Sequence, residues 1–335
     1  MTSKDLIKIK ELLSTPQHIV ITTHMNPDGD AMGSSLAMYN FLFSMGHKVQ
    51  VIAPSSYPVF LHWLPGNDRV MVFLDEAEKA RQLIRDANVL IFLDFNTPNR
   101  VGGMEDAIVS AKATKILIDH HMDPEPFSDY MLSDVQASST AELVSDFIGL
   151  LELKDLISKE IAECIYTGIL TDTGSFSYGS TTAKAHRIAG ELIQYGADNL
   201  KIQGNIFQDN SLDRVRLLGF SLYKKLTVLE EYNTGYFALS KQDLMPFNFR
   251  AGDTEGLVNY AMSVKNIDLA VLMLERKSDY VKLSFRSNGT YRVDELAKMH
   301  FNGGGHKNAA GGEYHGSLPE TVAHLNKVLN KLHQD

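Results

Sequence analysis

Along the first 180 residues, short unbroken apolar runs alternate with longer stretches whose apolar positions recur every three or four residues. HIVITT (18–23), KVQVIAP (48–54), VLIFLD (89–94) and KILID (115–119) are rich in Val, Ile and Leu and too short for helices. They are expected to be strands buried on both faces. AMGSSLAMYNFLFSMG (31–46), DEAEKARQLIRDA (75–87), ASSTAELVSDFIGLL (137–151) and SKEIAECIYTGIL (158–170) carry the helical spacing. Such alternation predicts an α/β fold, an open parallel sheet with helices on both faces. From 183 to about 230 the pattern turns almost wholly helical, with no Gly/Ser or Pro run, and predicts a helical connector.

Beyond the connector the pattern changes again. GYFALS (235–240), DLAVLMLER (268–276) and YVKLSFRS (280–287) are expected strands, with helices at EGLVNYAMSV and VDELAKMHF. NGGGHKNAAGG (302–312) is expected to be a glycine-rich loop, and a last helix starts at Ser317 with Glu320 completing a capping box. The expected organisation is therefore 1–182 as a first domain, 183–231 as connector and 232–335 as a second, smaller α/β domain. A chain of 335 residues suits two cores at roughly 150 residues per domain.

Composition narrows the chemistry. The amino-terminal MTSKDLIKIKELLSTPQ alternates charged and apolar residues as a surface helix does, without the apolar core of a secretory signal. No apolar run nears the roughly 18 residues of a membrane span, so a cytoplasmic protein is expected. A single cysteine, Cys164, excludes an internal disulfide and a cysteine zinc cluster and is expected to pack as a small hydrophobe. The net charge of −9 argues against gripping long duplexes, whose affinity comes from lysine and arginine on phosphates, but leaves room for a small phosphorylated ligand.

Titratable residues gather just past the expected strands. HMNPDGDAMGS places His24, Asp28 and Asp30 on a turn after the first strand, with glycine between the two carboxylates for a tight backbone. Decoration of a helix N-terminus with Asp is the plain alternative. Asp94 closes VLIFLD, where a carboxylate is costly unless paired or metal-bound. Arg100 follows, as a phosphate contact or a salt-bridge partner. Asp119, His120 and His121 close KILID; adjacent histidines on a strand point to opposite faces, which suggests one on metal and one toward substrate. Asp172 lies in TGILTDTGSF, which alone is a turn. Strand C-termini of an open parallel sheet share one crevice, so these residues are expected to converge. Five Asp and three His suit two cations about 3.5 to 4 Å apart, and carboxylate with imidazole suits Mn²⁺ or Mg²⁺. In the second domain Arg286 sits in an apolar strand, where it needs an anion or an Asp partner, and glycines 303 to 305 free backbone amides to approach a phosphate.

HxxxDxD, Asp94, Asp119-His120-His121 and TDTG, in that order, resemble the four motifs of the DHH phosphoesterase superfamily. SFRS and GGGHKNAAGG resemble the DHH-associated C-terminal domain. The arrangement is similar to the branch of bifunctional oligoribonucleases and PAP phosphatases, the nanoRNases. The resemblance implies two Mn²⁺ ions, one on His24, Asp28 and Asp94, the other on Asp30, Asp94, His120 and Asp172, with Asp94 bridging. It implies His121 at the scissile phosphate, Asp119 supporting the histidines, and substrate phosphate held by Arg286, Ser284, His306 and the amides of Gly303, Gly304 and Gly305. Asn302 stands where relatives often carry a fourth glycine, and Asn tolerates positive φ. The implied substrates are short oligoribonucleotides and 3′-phosphoadenosine 5′-phosphate, with an interdomain cleft limiting length; a homodimer is compatible with this. A cyclic or linear dinucleotide phosphodiesterase, a manganese pyrophosphatase and a non-catalytic nucleotide-binding module are the alternatives.

Overall fold

In β1 (His18–Thr22) every residue after the first is buried, which an apolar run achieves only in the middle of a sheet covered on both sides. The computed structural model describes residues 1–207, 210–250, 252–288 and 291–333, with the side chain of His306 outside that description. The chain begins with α1 (Ser3–Leu13), closed at its start by a Thr2–Asp5 capping box. After β1 come α2 (Gly29–Ser44), β2 (Lys48–Ala53), β3 (Met71–Val72), α3 (Ala77–Asp86), β4 (Val89–Leu93) and α4 (Glu105–Ser110). There follow β5 (Thr114–Asp119), β6 (Tyr130–Ser133), α5 (Thr140–Leu150), α6 (Lys159–Asp172), α7 (Ala183–Gln194) and α8 (Asn199–Phe207).

The first sheet has the order β3-β2-β1-β4-β5-β6 and every pair in it is parallel. The chain therefore runs outward from β1, returns to β4 at its other side, and runs outward again. Two of the six strands were not anticipated, because Met71–Val72 and Tyr130–Ser133 are too short for a period-2 pattern to show. Side chains alternate between two cores. Ile19, Ile21, Ile91, Ile116 and Ile118 meet α1, α2 and α5 to α8 on one face, with Cys164 buried among them. Val20, Leu90, Phe92 and Leu117 meet α3 and α4 on the other.

Two helices approach unusually closely. A Cβ on Gly33 of α2 would lie 2.7 Å from the Cys164 carbonyl oxygen and 2.8 Å from the Gly168 nitrogen of α6. On Gly168 it would lie 2.7 Å from Asp30 Oδ1, and on Gly29 it would lie 2.4 Å from the Thr171 side chain. Gly29 has no positive φ, so the expected reason for a glycine between the two aspartates is corrected: it is needed for space.

The second unit contains α9 (Leu212–Phe220), one π-helical turn, β7 (Leu226–Leu229), β8 (Thr234–Leu239), α10 (Lys241–Leu244), α11 (Leu257–Met262), β9 (Leu269–Lys277) and β10 (Tyr280–Ser287). It ends with α12 (Val293–His300), β11 (Gly304–His306), β12 (Ala309–His315) and α13 (Leu318–Leu332). Its sheet has the order β11-β12-β10-β9-β8-β7, antiparallel except between β8 and β9. Ser317 and Glu320 form the capping box of α13.

The compact units are Met1–Asp209 and Asn210–Asp335, so the stretch 183–231 is divided between them. Helices α7 and α8 bury Ala185, Ile188, Leu192, Ile202 and Ile206 in the first core, and α9 buries Leu217 in the second. An amphipathic helix settles on whichever core takes its apolar stripe. The glycine-rich stretch 302–312 is also corrected, from a loop to the β11–β12 hairpin. A Cβ on Gly303 would lie 2.0 Å from the Gly311 carbonyl oxygen, Gly305 has φ 145°, and a Cβ on Gly312 would lie 2.8 Å from the Phe301 carbonyl oxygen. Those three glycines are demanded by crowding and backbone, which composition alone presents as a loop.

Because the α2–α6 contact is backbone on backbone, neither helix can yield to an added methyl. Gly33→Ala is expected to destabilise the chain by about 1–3 kcal/mol, as overpacking does. Urea denaturation would show a lower midpoint at unchanged slope; an unchanged midpoint would refute the close crossing.

Candidate metal centre

Strand order alone brings the candidates together. β1 and β4 are neighbours from which the chain leaves in opposite directions, and the crevice past their C-terminal ends is where an open α/β sheet holds ligands. His24 stands two residues beyond β1. Its Nδ1–H donates to the Met25 carbonyl at 2.8 Å, which leaves Nε2 as the nitrogen able to ligate, and Nε2 lies 3.3 Å from Asp94 Oδ2. The Met25 amide donates to the Arg100 carbonyl at 2.7 Å and so ties the loop after β1 to the loop after β4. Asp28 is the N-cap of α2, its Oδ1 accepting from the amides of Asp30 at 3.1 Å and Ala31 at 3.0 Å. Capping and metal ligation are compatible, since a carboxylate has two oxygens.

Asp30 is 1% exposed and lies on the amino terminus of α5. Its Oδ2 accepts from the Thr140 amide at 2.6 Å and its Oδ1 from the Ala141 amide at 2.8 Å. Such a helix end favours negative charge. Asp94, 2% exposed, adopts φ 67°, a left-handed backbone that Asp tolerates and most residues do not. The Thr140 hydroxyl donates to Asp94 Oδ1 at 2.9 Å. Thr140 therefore holds both buried carboxylates, one through its amide and one through its side chain.

β5 ends at Asp119, so the two histidines follow the strand and escape its alternation. The His120 Nδ1–H donates to the Ala137 carbonyl at 3.3 Å, and Nε2 lies 3.6 Å from Asp94, 3.5 Å from Asp172 and 3.9 Å from Asp30. The His121 Nδ1–H donates to Asp119 Oδ1 at 2.7 Å, and the same nitrogen lies 3.7 Å from Asp94. Asp172 is the last residue of α6, carried here by the close α2–α6 crossing.

The electrostatics have the character of a place that favours cations. Burial and then the charges of Asp94, Asp172 and Asp28 push the Asp30 carboxyl well above the usual carboxylate range. Burial also pushes Asp94 up, but the hydrogen bond from His24 and the nearby imidazoles hold it far below. Burial would lower His24 and His120, yet their carboxylate neighbours raise both, against an opposing Arg100 charge at His24. Imidazoles drawn toward the charged form and a carboxylate drawn toward the neutral one both follow from excess negative charge.

Ligating atoms lie within 4.8 Å of one another in three groups: His24, Asp28 and Asp94; Asp30, His120 and Asp172; and Asp94, His120 and His121. The donors are oxygen and imidazole nitrogen, and Asp94 belongs to two of the groups. This set fits two adjacent divalent cations. Thr140 was missed by the sequence reading. Its signal was the S-x-x-E start of α5, where Ser139 accepts from the Glu142 amide at 3.1 Å, marking a helix end able to receive Asp30.

The remaining candidates lie in the second unit. Arg286 and Ser284 share one face of β10; Arg286 Nη1 donates to the Phe285 carbonyl at 2.9 Å, and its buried Nε has no acceptor among the described residues. Asn302 adopts φ 44°. The Gly303 amide donates to the Ala297 carbonyl at 3.1 Å, which removes it from the expected phosphate-binding amides, and the antiparallel ladder to β12 engages one of the next two, so that a single amide of Gly304 or Gly305 is left. The expected role of the His306 side chain lies outside the described residues.

Comparison with known proteins agrees with this geometry. Residues 18–169 match the DHH family, N-terminal domain, and residues 234–334 match the DHHA1 domain. The chain belongs to the DHH family of phosphoesterases, in the form that carries a DHHA1 domain. Within it, the chain is similar to the bifunctional oligoribonuclease and PAP phosphatase NrnA of Thermus thermophilus, with 32% identity over 88% of this chain and 83% of that protein. The NrnA of Bacillus subtilis is 28% identical over 92% of this chain and 91% of that protein. A crystal structure of an exopolyphosphatase-related protein from Bacteroides fragilis superposes with a TM-score of 0.94 at 38% identity, covering 98% of this chain and 96% of that one. No helix among the described residues is long and apolar enough to cross a membrane.

Thr140→Val keeps the volume and removes the hydroxyl from Asp94. Outer partners of ligands are worth about 10- to 100-fold in metal affinity, so Mn²⁺ binding by titration calorimetry should weaken by that factor. Unchanged affinity would remove Thr140 from this role.

Proposed function

We propose that the chain is a Mn²⁺-supported, two-metal phosphoesterase that degrades short oligoribonucleotides to mononucleotides and dephosphorylates 3′-phosphoadenosine 5′-phosphate. The observation that carries it is Asp94: one buried carboxylate that faces His24, His120 and His121 and is common to two ligand groups. The substrates come from the names of the two NrnA relatives. The ion comes from the donors, because carboxylate and imidazole without thiolate suit Mn²⁺, with Mg²⁺ the next choice.

His24, Asp28 and Asp94 would hold one cation, and Asp30, Asp94, His120 and Asp172 the other. Bound there, the pair supplies an acidified water as nucleophile and neutralises phosphate charge. Each part of the chain then has a separate task. The Met25 and Ala137 carbonyls fix the tautomers of His24 and His120 so that Nε2 ligates. Asp119 orients His121 through Nδ1–H and makes Nε2 the nitrogen able to carry a proton to the leaving oxygen. In the second unit Arg286 would hold a substrate phosphate with Ser284 and the one amide of Gly304 or Gly305 that the β11–β12 ladder leaves, its Nε, without an acceptor among the described residues, being the donor in need of an anion. Arg100, felt electrostatically at His24, would add a cation near the ligands. The free, buried Cys164 is consistent with a cytoplasmic protein.

Chelation is expected to abolish hydrolysis and Mn²⁺ to restore it best. Asp94→Ala should lose both ions by elemental analysis, and two retained ions would exclude the shared ligand. A panel of di- to pentaribonucleotides, 3′-phosphoadenosine 5′-phosphate, cyclic dinucleotide, pyrophosphate and a long single strand checks the substrate class. Short oligoribonucleotides and the bisphosphate should lead; preference for pyrophosphate or cyclic dinucleotide would overturn this reading.

Arg286→Ala is expected to leave metal content intact and lower kcat/KM by about 10² to 10³, the cost of losing a charge-assisted contact. Loss of a metal instead would refute its role on phosphate.

A further inference from the structure

The second sheet has a strip almost bare of side chains. The ladder sets Gly304, Gly311 and Ser284 side by side across β11, β12 and β10. Unlike Gly303, Gly305 and Gly312, neither Gly304 nor Gly311 is required by its surroundings. Neither has positive φ; a Cβ on Gly304 would meet nothing within 4 Å, and on Gly311 only the Leu283 carbonyl oxygen at 3.9 Å. Glycine inside a strand sacrifices stability, and where packing does not demand it the remaining use is close approach by a ligand.

Cations border this floor. Arg286 and Lys282 stand two residues to either side of Ser284, on the same face of β10. Arg276 lies near the end of β9, at the register shift of the β9–β10 ladder between the residues paired with Tyr280 and Val281 and two places along from Leu274, the partner of Lys282; its charge acts on Lys282. None of the three takes part in an ion pair among the described residues, although the ladder places Glu313 directly opposite Lys282. Glu313 is engaged elsewhere, by the Tyr280 hydroxyl at 2.9 Å and His315 at 3.4 Å. Arg276 lies over the Phe249 ring, 5.7 Å from its centre. Lys282 is at an exposed strand position; lost hydration and then the Arg276 charge lower its pKa, with Glu255 opposing. Two neighbouring cations with no acidic salt bridge among the described residues call for an anion.

We propose that Lys282 and Arg276 form a second phosphate subsite, separated from Arg286 by the Ser284–Gly311–Gly304 floor, which engages the further phosphates of a tri- or tetraribonucleotide. The inference rests on the oligoribonucleotide reading above and deepens it. Arg286 and Lys282 are four positions apart along the strand, a span of about 13 Å. A stacked single strand advances about 3.4 Å per nucleotide, so this span matches a few nucleotides, and the bare floor between gives a sugar or base room to lie flat.

The test uses the full chain with Mn²⁺, a tetraribonucleotide, and bis(p-nitrophenyl) phosphate as a small diester. In Lys282→Ala, the ratio of kcat/KM for the tetranucleotide to that for the small diester should fall about tenfold, chiefly through KM. The log–log salt dependence of tetranucleotide KM should become shallower by about one. Arg276→Ala should move both in the same direction, and Lys282→Arg should retain most of the preference. An unchanged ratio and salt slope in Lys282→Ala, with wild type active on the tetranucleotide, overturns the subsite alone. Equal loss on both substrates also overturns it, since a folding defect or general damage has that form. A wild-type chain that hydrolyses the small diester but no oligoribonucleotide overturns the substrate reading, and the subsite with it.

Discussion

Asp30 and Asp94 are withdrawn from water almost completely, and two like charges so placed are tolerable only if the surrounding structure answers them. The first answer is the amino terminus of α5, whose amides at Thr140 and Ala141 take both oxygens of Asp30 while the Thr140 hydroxyl takes one oxygen of Asp94. The second is a set of imidazoles, His24, His120 and His121, facing Asp94 from two strand ends. These neighbours do not cancel the excess: Asp30 remains raised and His24 and His120 remain drawn toward charge. A pair of divalent cations is the remaining counter-charge that the donor set suits.

The same constraint explains features of the core that would otherwise look unrelated. Gly33 and Gly168 let α2 and α6 meet backbone to backbone, and the side chain missing at Gly168 is the space Asp30 occupies. Asp172 ends α6 and reaches His120 through that crossing. Positive φ at Asp94 is a local strain retained where a carboxylate must turn off the end of β4. Packing density and site chemistry are thus one arrangement, and a methyl group in the helix crossing is a change at the site.

The second unit solves a different problem. The chain carries a net charge of −9, and its acidic excess lies in the first unit; one face of the second unit's sheet carries Arg286, Lys282 and Arg276, none of them in an ion pair among the described residues. Its glycines divide into those that crowding demands, at 303, 305 and 312, and those that leave open space, at 304 and 311. Local positive charge over an open floor favours an anion, because phosphate affinity comes mainly from lysine and arginine.

Much of this was legible in the chain by itself. Apolar runs of four to six residues ending in Asp or His specify strands and the carboxyl ends where chemistry gathers, because side-chain period and burial are local properties. Asn302 at positive φ and the α13 capping box are local in the same sense. Pairing between distant residues is not. That β4 lies beside β1, that the Asp30 carboxylate meets amides 110 and 111 residues away, and that the Gly303 amide is already engaged by Ala297 were decided by packing. So was the division of 183–231, since each amphipathic helix is compatible with either core until both exist. Sequence determined which residues can bear the chemistry; tertiary structure decided which of their atoms meet, because contacts between residues far apart in the chain are selected by the fit of the whole core.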